Sequence, residues 1–133
     1  MNTQNYTQKT VEAIQNAQNI ARENDNQSLV PEHLLYSLLD QDGGLIPSLF
    51  GKMGVDCNTV LGELDSYIAT LPKVSGGEMY LSSETDRVIR TAEKTAKSMN
   101  DEYVSVEHLM IGIFTNMTPE IRKIFNTHGI TKN

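Results

Sequence analysis

The stretches LVPEHLLYSLL, residues 29–39, and VSVEHLMIGIF, residues 104–114, share a Glu-His-Leu core that recurs 75 positions along the chain. When the chain is laid over itself at this offset without a gap, residues 7–58 align with residues 82–133. Identical pairs recur along the whole alignment, namely Thr10/Thr85, Ile14/Ile89, Ala17/Ala92, Ala21/Ala96, Ile46/Ile121, Phe50/Phe125, Gly54/Gly129 and Asn58/Asn133. Self-similarity at a fixed offset indicates a duplicated structural unit. We therefore look for function in features of the pair.

Apolar residues recur at helical spacing in both copies, which predicts an all-α fold. Repeat one, about residues 6–71, is predicted to hold four helices, each with its own start or stop signal. They are a helix over 7–22, one that begins at Pro31, one over 45–53 that ends at Gly54, and one that Asp56 caps and Pro72 stops. Proline at a first helical position and glycine after a last one follow the usual preferences at helix ends.

Residues 72–81, PKVSGGEMYL, form the joint, and repeat two covers residues 82–133. Ser82 or Ser83, Ser105 and Thr118 are the predicted caps of its helices. By the offset, Thr131 stands where Asp56 caps the fourth helix, so the eighth helix is expected to be truncated. Because repeats bury their cores against neighbours, its loss would expose an apolar set on the preceding helix, Ile121, Ile124 and Phe125.

Length and composition predict one domain, residues 1–133, that is large enough to bury a core. A net charge of −6 without a basic cluster argues against a nucleic-acid partner. The longest apolar run, Leu109–Phe114, is too short to span a membrane. No secretory signal is visible in the opening MNTQNYTQK, and the single Cys57 suits a reducing compartment, so we expect a cytoplasmic protein.

Familiar catalytic and cofactor motifs do not match this sequence. The only Gly-Lys pair, Gly51-Lys52, is followed by Met53, where a phosphate-binding loop needs serine or threonine. No histidine is followed by glutamate, so the zinc-protease motif is absent. Cys57 has no histidine near it in sequence and is interpreted as a packed thiol. We therefore expect no enzyme activity, no cofactor and no metal in this chain.

The repeated Glu-His pair is open to three interpretations. Glu32-His33 and Glu107-His108 would form a zinc site if the duplication brought all four side chains together. An acid in the first turn of a helix is also an ordinary response to the helix dipole, with the histidine bonded to a neighbour. Alternatively, such an acid beside an apolar stripe would hold a cationic or amide group of a peptide. The structural interpretation is favoured, most clearly for His33.

The segments PEHLL, LPKVSGG, YLS and DEYVSVEHL resemble the N-terminal domain of Clp ATPase chaperones, and LPKVSGG followed by YLS is most similar to the ClpB disaggregase branch. The resemblance runs from Tyr6 to Asn133. It implies eight helices in two pseudo-symmetric four-helix repeats. It also implies a non-catalytic domain that receives unfolded or aggregated polypeptide ahead of ATPase modules, which bind ATP and Mg²⁺ and assemble as a homohexamer. The isolated domain is expected to be a monomer.

The resemblance also implies a peptide-contact surface in a shallow groove between the repeats. Its matching positions here are Thr7, Thr91, Thr95, Asp101, Glu107 and His108, with Glu32 as a second contact site. Some relatives have leucine where this chain has Thr91, Thr95 and His108, so a less apolar groove is expected. In the alternative, a ClpC- or ClpA-type domain docks an adaptor or reads phosphoarginine through the two acids. That branch has Gly-Thr before each Glu-His, which this chain lacks.

Overall fold

Seven helices and two short strands form within residues 3–132 of the computed structural model, which leaves Met1, Asn2 and Asn133 undescribed. The pairing of Asn58 with Asn133 therefore lies outside the described residues. None of these helices is long and apolar enough to cross a membrane. In chain order the elements are α1 Gln8–Glu23, β1 Ser28–Leu29, α2 Pro31–Leu39, α3 Leu45–Lys52, α4 Cys57–Ile68, β2 Tyr80–Leu81, α5 Ser83–Ser98, α6 Val106–Thr115 and α7 Pro119–His128.

The helix ends follow the local signals in the sequence. Thr7, Ser82 and Thr118 each accept a hydrogen bond from the backbone N–H three residues on, which satisfies a donor that the first turn leaves free. Asp56 caps α4 through the N–H of Asn58 at 3.0 Å. Gly129 ends α7 with φ near 65°, a backbone conformation that glycine adopts without strain. The all-α prediction is confirmed, with two short strands added.

The two repeats exchange backbone hydrogen bonds across the pseudo-twofold relation. β1 pairs in parallel with β2, and at the equivalent place Tyr6 forms a parallel bridge with Val104. The threonines that follow repeat this crossing. Thr10 Oγ1 donates to the Val104 carbonyl at 3.0 Å, and Thr85 Oγ1 donates to the Leu29 carbonyl at 2.7 Å. In each repeat, the first turn of the first helix is therefore hydrogen-bonded to the backbone of the other repeat.

Each repeat is built on one closely packed helix pair, α1 with α2 and α5 with α6. In repeat one, Ser37 Oγ donates to the Ala13 carbonyl at 2.6 Å. At the equivalent positions of repeat two, Gly112 faces Val88, and a Cβ on Gly112 would lie 2.4 Å from the Val88 carbonyl oxygen. A serine-alanine pair in one repeat is thus replaced by a glycine-valine pair in the other, and each pair contains a residue small enough for close helix approach.

No eighth helix forms within residues 3–132, and the surface left open differs from the one expected. Ile121, Ile124 and Phe125 are 0%, 2% and 2% exposed, so the prediction that they would be exposed is wrong. Phe125 packs edge-to-face on Phe50 with ring centroids 6.3 Å apart, and this contact holds α7 on the core. Exposed apolar side chains lie instead on α3 and at its C-cap, at Leu45, Leu49 and Met53, and elsewhere at Val74, Tyr80, Met99 and Tyr103.

Candidate functional site

The histidine of repeat one is part of the helix cap. His33 is the third residue of α2, and its Nδ1 accepts the backbone N–H of Val30 at 3.0 Å. This is the bond that a glutamate or glutamine makes in a capping box. Because Nδ1 accepts, the neutral ring carries its proton on Nε2, which donates to Asn26 Oδ1 at 2.9 Å. Burial lowers the pKa of His33 to about 4, so the ring is neutral at physiological pH.

The histidine of repeat two makes the same pair of bonds to a different partner. His108 Nδ1 accepts the backbone N–H of Ser105 at 2.9 Å, and Nε2 lies 2.8 Å from Asp101 Oδ2. Asp101 occupies the position that Asn26 holds in repeat one. Both follow a residue with positive φ, Asp25 at 55° and Asn100 at 57°, which turns the chain back toward the histidine.

These bonds decide between the earlier interpretations of the Glu-His pairs. Both ring nitrogens of His33 and of His108 already have partners, so neither ring has a free nitrogen for a metal. Among residues 3–132 no group of three or more His, Cys, Asp or Glu side chains could hold a metal ion. His108 is buried, and so we treat it as the residue that positions Asp101 rather than as a peptide contact.

The two glutamates, in contrast, have unequal surroundings. Glu32 is 1% exposed, and Thr118 Oγ1 donates to its Oε2 at 2.6 Å. Burial raises the pKa of Glu32, against the hydrogen bond from Thr118, which lowers it. Glu107 is exposed, and the position equivalent to Thr118 is Gly43, which has no hydroxyl to donate. The prediction of Glu32 as a second contact site is therefore wrong, because its side chain is buried. Glu107 is the acid of the pair that a ligand can reach.

The remaining predicted residues are Thr7, which caps α1, and Thr91 and Thr95 on α5. The Thr7 N–H donates to the Val104 carbonyl at 3.0 Å, which brings the start of α1 beside the segment that carries Asp101. Thr91 Oγ1 accepts a bond from Asn116 Nδ2 at 2.9 Å, and Thr95 Oγ1 donates to the Thr91 carbonyl at 2.7 Å. Both threonine side chains are half-buried and already bonded. The hydroxyl groups of both threonines are therefore already satisfied within the chain.

A separate apolar groove, which we name the α3–α6 groove, was not anticipated from the sequence. Its volume is about 390 Å³, and Glu107 stands at its rim. Its lining residues are Ile46, Leu49, Phe50 and Lys52 from α3, Met53 at the C-cap of α3, Glu107, Met110, Ile111 and Phe114 from α6, and Thr131 and Lys132 after α7. The 75-residue offset could have located this groove, because it matches the groove to a surface of repeat one that α4 covers.

A polar pocket at the C-terminal end of α5 was also not predicted from the sequence. It is lined by side chains that include Tyr6, Glu93 and Asp101, and the Tyr6 hydroxyl donates to Glu93 Oε2 at 2.7 Å. Burial, followed by the hydrogen bond to Glu93 and its negative charge, raises the pKa of Tyr6. The pairing joins the segment before α1 to α5, across 87 residues of sequence. No local pattern in the chain marks such a contact.

This chain is similar in sequence to a known family and to known proteins. The family described as the Clp repeat (R) N-terminal domain matches residues 5–128. The chain is 44% identical over 115 residues, 86% of its length, to the chaperone protein ClpB of Porphyromonas gingivalis. It is 35% identical over 132 residues, 99% of its length, to the chaperone protein ClpB of Bacteroides thetaiotaomicron. The chain spans only 13% and 15% of the length of these two relatives.

The fold is also found among solved structures. The N-terminal domain of Hsp104 from Candida albicans superposes with a TM-score of 0.85 at 19% identity, covering 97% of this chain and 85% of that one. At this identity the likeness concerns the fold alone. The match over residues 5–128 and the identity to ClpB proteins carry the assignment further. This chain belongs to the Clp repeat N-terminal domain family, and it is similar to the N-terminal part of ClpB chaperones.

Proposed function

We propose that this chain is the substrate-recruiting domain of a ClpB-like disaggregase and binds unfolded or aggregated polypeptide weakly. The observation that carries the proposal is the identity of 44% and 35% to ClpB chaperones over nearly the whole chain. In this proposal the domain is non-catalytic and works in the cytoplasm. It is a monomer when isolated, whereas the parent protein is a homohexamer. ATP and Mg²⁺ bind in ATPase modules elsewhere in that protein.

The proposed contact surface combines α5, the turn after it and the starts of α1 and α6. It comprises Thr7, Thr91, Thr95, Asp101 and Glu107, while His108 positions Asp101 from below. The two acids are exposed and the threonine hydroxyls are already engaged, so the surface offers negative charge and small side chains rather than a deep apolar pocket. Such a surface favours weak, broad binding of segments in which basic residues flank apolar ones.

The test uses the exchange Asp101→Asn, for which repeat one supplies the precedent. Asn26 already accepts the histidine bond at the equivalent position, so the variant should keep its fold while it loses the charge. We expect binding of an unstructured Lys- and Leu-rich peptide to weaken about twofold to fivefold, as for other exposed charges. Asp86→Asn is the matched control, because both aspartate side chains are 46% exposed.

Chemical-shift mapping locates the surface independently of the variant. Addition of the same peptide to the isotopically labelled chain should shift amides near Thr7, Thr91 and Glu107. Shifts confined to the far ends of the repeats, or equal losses in Asp101→Asn and Asp86→Asn, would argue against this surface. The alternative, adaptor docking or phosphoarginine reading by both acids, predicts instead that free phosphoarginine binds and that Glu32→Ala and Glu107→Ala each abolish binding.

A further inference from the structure

Helix α5 gathers four basic side chains that are separated from one another in the linear sequence. They are four of the eleven lysines and arginines in the chain, namely Arg87, Arg90, Lys94 and Lys97. At about 100° of turn per residue these positions fall within roughly 80° of arc, and at about 1.5 Å of rise per residue they span about 15 Å along the helix axis. All four side chains are exposed. We name this row the α5 basic face.

Most of the positive charge on the α5 basic face has no partner within the chain. Arg90 Nε lies 2.7 Å from Asp86 Oδ2, so this one guanidinium is neutralised by an acid of the same helix. The other three members form no ion pair with any part of the chain that the structure describes, and these are Arg87, Lys94 and Lys97. Three positive charges in one row are therefore available to a ligand.

The first helix of repeat one shows that the fold does not require a basic face at this place. At the 75-residue offset, the equivalent positions on α1 are also exposed and are occupied by Glu12, Gln15, Asn19 and Arg22. One acid, two amides and one base thus replace four bases. The two helices have the same length, and each packs closely on the next helix of its own repeat. Helix packing therefore does not account for the α5 basic face.

The charge and spacing of the α5 basic face determine which ligand class fits it. The ligand must be anionic, but the net charge of −6 on the whole chain repels a long polyanion such as nucleic acid. A short acidic segment of a protein meets only the row itself, and runs of acids stay unfolded because their charges repel each other. In an extended segment alternate side chains share one face and recur about every 6.6 Å. This repeat is close to the mean separation of about 5 Å between the bases along the helix axis.

We propose that the α5 basic face docks an extended acidic segment of another protein, with aspartate or glutamate at alternate positions. This inference goes beyond the proposed function, because it concerns other residues and a ligand of the opposite charge. The exposed acids of the proposed function, Asp101 and Glu107, favour basic segments. Thr91 is half-buried and bonded to Asn116, whereas the bases of the α5 basic face are exposed. Acidic and basic segments therefore bind at different surfaces of one chain.

The probe is a fluorescently labelled peptide of about twelve residues in which glutamate alternates with serine, long enough to cover the row when extended. Its control peptide has glutamine in place of each glutamate. We expect saturable binding of the glutamate peptide to the full 133-residue chain at low ionic strength, and no binding of the glutamine peptide. At about 0.15 M salt, where the Debye length is about 8 Å, binding of the glutamate peptide should be several-fold weaker.

Two double variants separate the α5 basic face from the net charge of the chain. Arg87→Gln with Lys94→Gln should weaken binding of the glutamate peptide about threefold to tenfold, because it removes two exposed charge contacts. Lys9→Gln with Arg22→Gln is the control, since it removes the same charge from exposed positions of α1. Glutamine is a good helix former, so both variants should stay folded. Equal weakening by the two double variants, or no binding of the glutamate peptide, would overturn the proposal.

A transfer of the row to α1 tests the same geometry in the opposite direction. Glu12→Arg, Gln15→Arg and Asn19→Lys, together with the existing Arg22, reproduce the four bases at the equivalent positions. This triple variant should bind two glutamate peptides per chain, which the fluorescence titration measures as a doubled stoichiometry. A stoichiometry that stays at one would show that such a row does not bind acidic segments, and would overturn the proposal.

Other anionic ligands and the proposed function are tested separately. If a single-stranded oligonucleotide or vesicles of anionic lipid bind more tightly than the glutamate peptide at the same ionic strength, and Arg87→Gln with Lys94→Gln releases them, the α5 basic face recognises phosphate. That result would overturn the proposal. The Lys- and Leu-rich peptide of the proposed function should bind this double variant without loss. Failure of one peptide to bind is therefore distinguishable from failure of the other.

Discussion

The histidine in each Glu-His pair serves as a cap, and this role has a pH consequence for His33. Its pKa in the folded chain is about 4, below its ordinary value of 6.5, because burial disfavours the charged ring. Between these values the unfolded chain takes up a proton that the folded chain does not. Stability is therefore lost as pH falls from about 6.5 to about 4 and is complete above that window.

We predict that acidification across this window costs up to about 3 kcal/mol of unfolding free energy through His33, from about 1.4 kcal/mol per pKa unit. Urea unfolding at a series of pH values measures it. In His33→Gln the cap bond to the Val30 N–H can persist through the amide oxygen, but the titration is removed. The variant should be less stable at pH 7 and should lose less on acidification. An unchanged pH dependence would assign the effect to other groups.

Glu32 gives a pH dependence of the opposite sign. Its pKa is raised, chiefly by burial, so the folded chain binds a proton more tightly than the unfolded chain does. Stability through this group increases as pH falls through its folded pKa. We predict that Glu32→Gln, which cannot ionise, gains stability relative to the original chain as pH rises from 4 to 8. Thermal unfolding of both proteins across that range tests this, and a stability difference that does not change with pH would contradict it.

At the scale of the elements, helix starts could be predicted from sequence because caps are local. Thr7, Ser82 and Thr118 each bond to a backbone N–H three residues on, so the residue that caps a helix start lies next to that start in the sequence. The strands could not be predicted, since Ser28 pairs with Tyr80 and each strand has two residues. A two-residue strand carries no alternation for a pattern to reveal.

Close helix packing gives a prediction about two glycines within helices. A Cβ on Gly112 would lie 2.4 Å from the Val88 carbonyl oxygen, so Gly112→Ala must push α5 and α6 apart. We expect a loss of about 1–3 kcal/mol, typical of overpacking. Gly62 in α4 has nothing within 4 Å of its Cβ position, and Gly62→Ala should instead stabilise by up to about 1 kcal/mol. Denaturant unfolding of the two variants should change in opposite directions.

At the scale of the whole molecule, the crossed hydrogen bonds make the repeats interdependent. Thr10 bonds to Val104 and Thr85 to Leu29, so each repeat lacks a partner when it is alone. We predict that chains cut between Gly76 and Gly77 give two halves that are largely unfolded apart and regain helix when mixed. Circular dichroism of the separate and mixed halves measures this.

The exchange Thr85→Val should weaken reassembly of the halves by about 1–3 kcal/mol, because it removes a buried hydrogen bond between them and leaves the Leu29 carbonyl with fewer donors. Thr70→Val is the control, since the Thr70 hydroxyl bonds to Tyr67 of the same half. Halves that fold fully on their own would show that the crossed bonds are not required.

The candidate sites could be predicted from sequence only in part, and the duplication explains why. The offset equates Glu32 with Glu107, yet one is buried by Thr118 and the other is exposed. Sequence comparison of the repeats finds equivalent positions, but the exposure of each depends on what the other repeat and α4 place over it. The placement of Thr91 and Thr95 on a peptide surface stays a prediction.

The crossed pairing of Tyr6 with Val104 and of β1 with β2 also bears on how such a chain arose. A solitary ancestral repeat would have no segment of its own against which to pair, so it would fold by association with a second copy. Fusion of two copies in one gene would convert that homodimer into a monomer whose folding no longer depends on concentration. Once fused, the halves would be released from self-complementarity, and equivalent positions such as 43 and 118, glycine and threonine in this chain, would be free to diverge.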